Sequence, residues 1–188
     1  MVTHCPRFPR QGEWTYQDWL NFPDDGWTYE IIDGVLYMAP PSAIAHQDAS
    51  IELAARMRIY ASEHELGKVL EAPCGVRLPD QPVPLQPDIF FVRKERLHII
   101  GKNYVEGRPD LVVEILSPSN IQYDRDTKFN IYQQTGVPEY WLVDYQARTV
   151  EIFTLTGDGY HLAGKYKGQA VAASRQLSGF QVVVASLF

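Results

Sequence analysis

The sequence contains two short apolar runs that decide its fold: Gln86-Pro87-Asp88-Ile89-Phe90-Phe91-Val92 and Pro109-Asp110-Leu111-Val112-Val113-Glu114-Ile115-Leu116. Each run is long enough for one buried strand. Each also carries acids at positions where burying a charged side chain away from water would be costly. A lone carboxylate in such a run needs a partner, a proton or a metal ion. Two acids on neighbouring strands can share one divalent cation. The runs therefore predict a hard-metal site and indicate phosphodiester chemistry.

Composition indicates one ordinary globular domain over residues 1–188. Hydrophobic residues make up 45% of the chain and charged residues 21%, a balance that disordered proteins do not have. The longest apolar runs are too short to cross a membrane, and residues 1–7 lack the apolar stretch of a signal peptide. Cys5 and Cys74 form neither a disulfide framework nor a zinc motif, so we expect a cytoplasmic protein.

The net charge of -6 bears on the choice of partner. An acidic protein is repelled by DNA at long range, because affinity for the backbone comes largely from neutralising phosphates. Acids gathered around a cation would cancel part of that charge. The balance therefore weakens a nucleic-acid interpretation without excluding it.

Turn and cap residues divide the first half of the chain into elements. Asp33-Gly34 separates two strand-like runs and predicts a β-hairpin. Ser42 is a candidate cap for a long helix that stops at Gly67. Helical spacing predicts that the apolar stripe of this helix consists of Ile44, Ile51, Ala55, Ile59 and Leu66.

In the second half, Ser117-Pro118-Ser119-Asn120 breaks the chain after the second apolar run. Asp124 is then a candidate cap for a helix through Gln134, and residues 140–143 predict another buried strand. From Thr149 onward the pattern changes to short strands and turns. Strands on both sides of a helix, with a β-rich tail, predict an α/β or α+β sandwich with a mixed central sheet.

Two acids are candidate metal ligands. Glu114 has apolar neighbours on both sides, so an unpaired charge there would be strongly destabilising. The alternatives are an edge-strand residue facing solvent or half of a buried ion pair with an arginine. Asp88 opens its strand, where ligand sites of open sheets often lie, and a simple turn residue is an equal alternative. Asp110 precedes Glu114 by four positions, roughly 13 Å along a strand, which is too far to share one ion.

Two further residues, Lys128 and Glu30, are weaker candidates. Lys128, in the helix after the Glu114 strand, could supply positive charge to a transition state, and an ordinary solvated lysine is the alternative. Glu30 either joins an acidic cluster or lies exposed on its hairpin. His46 and His64 form no zinc-type pair, so we predict a packed or solvated role for both.

Aromatic residues suggest a homodimer. The chain has 11 tyrosines and 4 tryptophans, and we interpret Tyr132, Tyr140 and Trp141 as aromatics of the core or of a dimer interface. The sequence contains no Gly-rich phosphate loop and no nucleophile elbow of the hydrolase type. A small dimeric scaffold is therefore one candidate function.

The order and spacing of several motifs resemble the Uma family of restriction-endonuclease-like proteins, part of the PD-(D/E)xK nuclease superfamily. In chain order they are Tyr29-Glu30-Ile31-Ile32-Asp33-Gly34, Pro87-Asp88-Ile89, Val113-Glu114-Ile115-Leu116-Ser117-Pro118-Ser119, Asp124-Arg125-Asp126-Thr127-Lys128 and Gly136-Val137-Pro138-Glu139-Tyr140-Trp141. The resemblance implies a restriction-endonuclease-like mixed sheet flanked by helices. It also implies that Asp88 and Glu114 are the two signature acids, 26 positions apart (114 minus 88).

The chain departs from the superfamily signature at one position. The signature lysine should follow the second acid by two residues, but Leu116 stands there. The resemblance implies that Lys128 takes this role from the next helix and that Glu30 is an extra acid. The implied activity is endonucleolytic hydrolysis of DNA, with Mg²⁺ or Mn²⁺ held by Asp88, Glu114 and Glu30. The alternative is a catalytically inactive nuclease-fold module that binds or regulates.

Overall fold

The structure is a computed structural model that describes residues 8–118 and 121–188, so Cys5, Ser119 and Asn120 lie outside the described residues. The helices are α1 (Tyr16–Trp19), α2 (Ile44–Glu63) and α3 (Phe129–Gln134). The strands are β1 (Thr28–Ile32), β2 (Val35–Ala39), β3 (Gly67–Glu71), β4 (Gly75–Arg77), β5 (Ile89–Arg93), β6 (Tyr104–Glu106), β7 (Leu111–Ile115), β8 (Glu139–Asp144), β9 (Thr149–Thr156), β10 (Gly159–Lys167), β11 (Val171–Ala173) and β12 (Gln181–Val183). In these ranges we find no helix with the length and apolar character needed to cross a membrane.

A six-stranded sheet forms the centre of the fold, in the order β10-β9-β8-β7-β5-β3. Strands β7 and β8 are parallel, and the other neighbours in this sheet are antiparallel. Three further pairs, β1-β2, β4-β6 and β11-β12, form two-stranded sheets. The predicted mixed central sheet is thus confirmed, and the two apolar runs become its adjacent strands β5 and β7.

Strands β5 and β7 are buried on both faces. Phe91 and Val113 pack into a cluster with α2, whereas Phe90 and Val112 pack on the opposite face with Tyr132. This is why both runs are continuously apolar and do not alternate with polar residues. Each fully buried Phe or Val contributes roughly 1.5–3 kcal/mol relative to an exposed one.

The predicted hairpin is confirmed. Strands β1 and β2 pair antiparallel with Ile32 opposite Val35, which leaves the two-residue loop Asp33-Gly34. Both loop residues have positive φ, 49° and 75°, as a tight turn of this kind requires. The hairpin register places Glu30 opposite Tyr37.

The prediction for α2 is wrong in its cap and in its buried face. The helix begins at Ile44, and its cap residue is Ala43, which makes no side-chain hydrogen bond to the helix. Its buried side chains are His46, Ala49, Ser50, Leu53, Ala54, Met57 and Ala61. Small residues on this face let α2 lie close against the sheet, so the larger isoleucines of the predicted stripe point outward. Leu66 lies beyond the end of the helix and is half-buried.

A wide π-helical turn, Tyr123–Lys128, precedes α3. Asp124 lies within this turn with a buried side chain and does not cap a helix, so that prediction is also wrong. The side chain of Asp124 faces Lys128, four positions later, with 3.8 Å between Asp124 Oδ1 and Lys128 Nζ. π-helical turns often occur at functional sites.

The aromatic side chains of Tyr132, Tyr140 and Trp141 are part of the core. All three are fully buried. Tyr132 and Tyr140 also pack on each other, with ring centroids 5.2 Å apart. These three residues are therefore aromatics of the core, one of the two predicted roles, and the homodimer stays a prediction.

Candidate active site

Asp88 and Glu114 lie side by side at one end of the central sheet. Ile89 pairs with Val113 and Phe90 with Val112, so the antiparallel register continued by one step places Asp88 opposite Glu114. Residues directly opposite in such a pair have Cβ atoms about 4.5–5.5 Å apart. The Ile115 N–H donates a hydrogen bond of 2.7 Å to Asp88 Oδ2, which fixes the Asp88 carboxylate beside β7.

Lys128 lies among three carboxylates. Its Nζ is 3.0 Å from Glu114 Oε1, 3.5 Å from Glu30 Oε2 and 3.8 Å from Asp124 Oδ1. The lysine side chain is buried, so it is not the solvated lysine of the alternative interpretation. The π-helical turn thus brings Lys128 to Glu114, as the resemblance implied.

Glu30 is buried and not exposed on its hairpin. Its Oε1 accepts a hydrogen bond of 2.7 Å from the Gln86 N–H, and its Oε2 accepts one of 2.8 Å from the Tyr123 hydroxyl. Together with Lys128, these donors occupy both carboxylate oxygens. The geometry suits a residue that holds Lys128 better than one that binds a metal ion, and the predicted metal role of Glu30 stays a prediction.

Asp124 is an acid of this cluster that the sequence analysis did not identify. Burial raises the pKa of Asp124 to about 7, and the negative charges of Asp88 and Glu30 add to this rise. The attraction of Lys128 lowers the pKa but does not fully offset these effects. The spacing of Asp124 and Lys128, four positions apart, was the available signal. This signal is ambiguous, because an aspartate at position 124 also predicts a helix cap.

His46 also faces this cluster, from the first turns of α2. Its Nε2 lies 3.5 Å from Asp88 Oδ2, its side chain is buried, and its Nδ1 has no hydrogen-bond partner among the described residues. Burial alone would lower the pKa of His46, but Asp88 and the Ile115 backbone outweigh that effect and raise it. His64, at the far end of the same helix, is exposed and stacks on Tyr60.

Buried tyrosines surround the acids. The Tyr132 hydroxyl donates a hydrogen bond of 2.8 Å to Glu114 Oε1, and the Tyr140 hydroxyl donates one of 3.0 Å to the Asp124 carbonyl. Burial, together with the negative charge of Glu114, raises the pKa of both phenols well above the usual value. The two phenols therefore remain protonated and act as hydrogen-bond donors.

The cluster has more acids than bases, since its four carboxylates outnumber one lysine and one histidine. Burial raises the pKa of Glu114 well above its usual value, although Lys128 opposes this, and the charges of Asp88 and Asp124 add to the rise. Burial would lower the pKa of Lys128, but the carboxylates, Glu114 first, outweigh it and hold that pKa well above its usual value. The lysine is therefore charged, and the remaining negative charge calls for protons or a further cation.

An open cleft of about 700 Å³ gives access to the cluster. Its floor is formed by Glu30, His46, Asp88, Glu114, Asp124 and Lys128. Residues 37–43, from the end of the hairpin to the start of α2, and Tyr145 also line the cleft. Asp110 does not line the cleft, because it accepts hydrogen bonds from the Arg93 N–H and from Arg96 instead.

The donor set suits a hydrated Mg²⁺ or Mn²⁺ better than an ion enclosed by protein. In the described part of the chain, no three His, Cys, Asp or Glu side chains are arranged to hold a metal ion. Within the same ranges, Asp88 Oδ1 and Glu114 Oε2 accept no hydrogen bond, while the second oxygen of each carboxylate is held by protein donors. Mg²⁺ commonly uses one or two carboxylates and keeps several waters.

Comparisons with known proteins agree with this architecture. The family described as "Uma2: Putative restriction endonuclease" matches residues 15–185. A solved structure of a putative nuclease belonging to DUF820, from Anabaena variabilis, is similar over 92% of this chain and 96% of its own, with 17% sequence identity and a TM-score of 0.74. No curated protein matches the chain. The chain therefore belongs to the Uma2 family of putative restriction endonucleases and has a restriction-endonuclease-like fold.

Proposed function

We propose that the chain is a metal-dependent endonuclease that hydrolyses phosphodiester bonds in DNA. The observation that carries the proposal is the placement of Asp88 opposite Glu114, with Lys128 held 3.0 Å from Glu114 at the floor of an open cleft. The family and its structural relative, both described in terms of nucleases, support the same reaction.

Each residue would have a distinct task. Asp88 and Glu114 would bind the cation through the oxygens that accept no protein hydrogen bond. A bound divalent ion would lower the pKa of a water molecule and offset phosphate charge. Lys128 would donate a hydrogen bond to the phosphate or to the attacking water, and the surrounding carboxylates, which raise its pKa, favour the charged form that this role needs. Hydrolysis joins the water oxygen to phosphorus, breaks one backbone P–O bond and passes a proton to the leaving oxygen.

His46 and Tyr132 would position the two metal-binding acids. His46 Nε2 holds Asp88 Oδ2, and the Tyr132 hydroxyl holds Glu114 Oε1, so each acid is left with its other oxygen for the ion. Residues that contact the metal ligands, but not the metal itself, orient carboxylates in metal sites.

The decisive experiment is nicking of supercoiled plasmid by the purified protein with Mn²⁺, with Mg²⁺ and with EDTA. We expect nicking with either metal, none with EDTA, and loss of activity in Asp88→Asn and Glu114→Gln. Asp110→Asn is the matched control, because Asp110, like Asp88, is an acid that follows a proline at the entry to a strand, but it lies outside the cleft. Equal nicking by the wild type and by both cleft variants would refute the assignment.

The second candidate is a nuclease-fold module that binds nucleic acid or regulates without cleaving it. It is favoured by the net charge of -6 and by Leu116 at the usual lysine position. Fluorescence anisotropy with labelled single- and double-stranded DNA and with RNA would separate the two. Binding without nicking at any metal concentration would support this alternative. The homodimer and the cytoplasmic location stay predictions.

A further inference from the structure

The outer face of α2 has an apolar stripe that the candidate active site does not use. Ile44, Ile51 and Ile59 are 89%, 59% and 58% exposed, and the exposed Ala55 lies between the last two. At 1.5 Å per residue, the stripe from Ile44 to Ile59 is roughly 22 Å long. These residues belong to the apolar stripe that helical spacing predicts for α2. An exposed apolar stripe of this kind indicates a protein-binding surface.

A shallow groove of about 190 Å³ lies beside the stripe, between α2 and β3. Ile51, Ala54 and Ala55 line it from the helix, and Leu70 lines it from the strand. Strand β3 is an edge of the central sheet, so its outer backbone groups have no strand neighbour in the described chain. Lys68 and Glu71 on this edge are exposed, and charged edge residues discourage the pairing of strands. A partner is therefore expected to contact the helix and not to extend the sheet.

The charges that flank the stripe are arranged symmetrically. Asp48 and Arg58 lie five positions before and after position 53, and Ile51 and Ala55 lie two positions before and after it. Both charged side chains are exposed, and neither belongs to an ion pair within the described residues. A surface that complements itself under a two-fold rotation is what an isologous dimer requires.

We infer that a second copy of this chain packs on the α2 stripe, with the two α2 helices antiparallel about a two-fold axis near position 53. Ile51 of each copy then lies over the small Ala55 and the groove of the other. Asp48 of each copy lies at the same level along the helix axis as Arg58 of the other copy. The two-fold axis generates this pair twice. This inference does not depend on the reaction at the cleft, so it stands if the protein cleaves nothing.

Analytical ultracentrifugation over a range of concentrations tests the inference. We expect a wild-type dimer that dissociates on dilution and a monomer for Ile51→Glu at the same concentrations. Leu162→Glu is the matched control, because Leu162 is 55% exposed but lies on β10, at the other edge of the sheet. Circular dichroism establishes that each variant is folded, which is expected because all substituted side chains are exposed.

Charge reversal tests the antiparallel geometry itself. Asp48→Arg alone and Arg58→Asp alone each place like charges together, so we expect the dimer to weaken at least tenfold in either. The double variant Asp48→Arg/Arg58→Asp restores opposite charges between copies, and we expect a dissociation constant within a few-fold of the wild type. A monomeric wild type, or a dimer that Ile51→Glu leaves unchanged, would overturn the interface. A double variant no tighter than the single ones would overturn the antiparallel arrangement.

Discussion

Lys128 Nζ lies 3.0 Å from Glu114 Oε1, and both side chains are almost completely removed from solvent. Tyr132 donates to the same glutamate oxygen, so this oxygen has two donors that differ in charge. A buried ion pair of this kind is costly to break, because removal of one partner leaves the other charge without compensation. The pair therefore links the stability of the fold to the proposed chemistry.

Lys128→Met is predicted to destabilise the protein strongly. The substitution leaves Glu114, Glu30 and Asp124 facing one another, and loss of one buried partner typically costs about 3–5 kcal/mol. Urea unfolding at pH 8 measures the effect. Glu114→Gln/Lys128→Met should regain part of the stability, because one of the uncompensated charges is removed. A single variant within about 1 kcal/mol of the wild type would show that the pair is not coupled to stability.

Stability is predicted to fall as the pH rises from about 4 to about 7. The folded pKa of Asp124, about 7, lies above the ordinary value of 3.8, so the folded state binds a proton more tightly than the unfolded state in that interval. The stabilising proton is present below the unfolded pKa and is lost as the pH passes through the folded one. Asp124→Asn should reduce this slope, whereas Asp158→Asn, in an exposed turn, should not. Unfolding free energies measured from pH 4 to pH 8 check the prediction.

His46→Gln is predicted to weaken Mn²⁺ binding by about 10–100-fold, because partners that orient a ligand typically have effects of this size. Calorimetric titration with Mn²⁺ measures the affinity without reference to activity. His64→Gln is the control, since it makes the same substitution on the same side of the sheet, one position after α2, in an exposed residue. Equal Mn²⁺ affinity in the wild type and in both variants would rule out a positioning role for His46.

Tyr132→Phe is predicted to lower the unfolding free energy by about 1.5–3 kcal/mol, the usual range for a hydrogen bond to a charged group. The phenol is fully buried and is held 2.8 Å from Glu114 Oε1. Denaturant unfolding measures the change. Tyr166→Phe is a suitable control, because Tyr166 is only half-buried and its hydroxyl makes no hydrogen bond in the described part of the chain. An equal effect in the two variants would contradict the proposed contact.

The sequence predicts the parts of the site that lie on buried strands. Asp88 and Glu114 stand out because their neighbours are apolar, and the structure places them opposite each other. His46 and Asp124 lie in helical segments, where a polar residue is ordinary, and their meaning depends on partners from distant parts of the chain. Only the assembled fold brings His46 to Asp88, 42 positions later (88 minus 46).

The buried face of α2 shows a second limit. Spacing alone selected the isoleucines, because they are the most apolar residues at helical intervals. The sheet instead packs against the face that contains Leu53 and Met57, where Ala49, Ala54 and Ala61 are the small residues that permit a close approach. Hydrophobicity reports that a residue avoids water, but it does not specify whether the same chain or another copy covers it.

The direction in which the Lys128 side chain points depends on the number of residues in the π-helical turn Tyr123–Lys128. A π-helical turn closes its hydrogen bonds over one residue more than an α-helical turn, so its width depends on the number of residues that it contains. Deletion of one residue between Asp124 and Lys128 would leave them three positions apart and change how Lys128 faces the acids of the site, although every side chain of the site would still be encoded. Relatives can therefore keep the lysine and lose the site through a single deletion, so an alignment must preserve the length of this turn before a shared lysine implies shared chemistry.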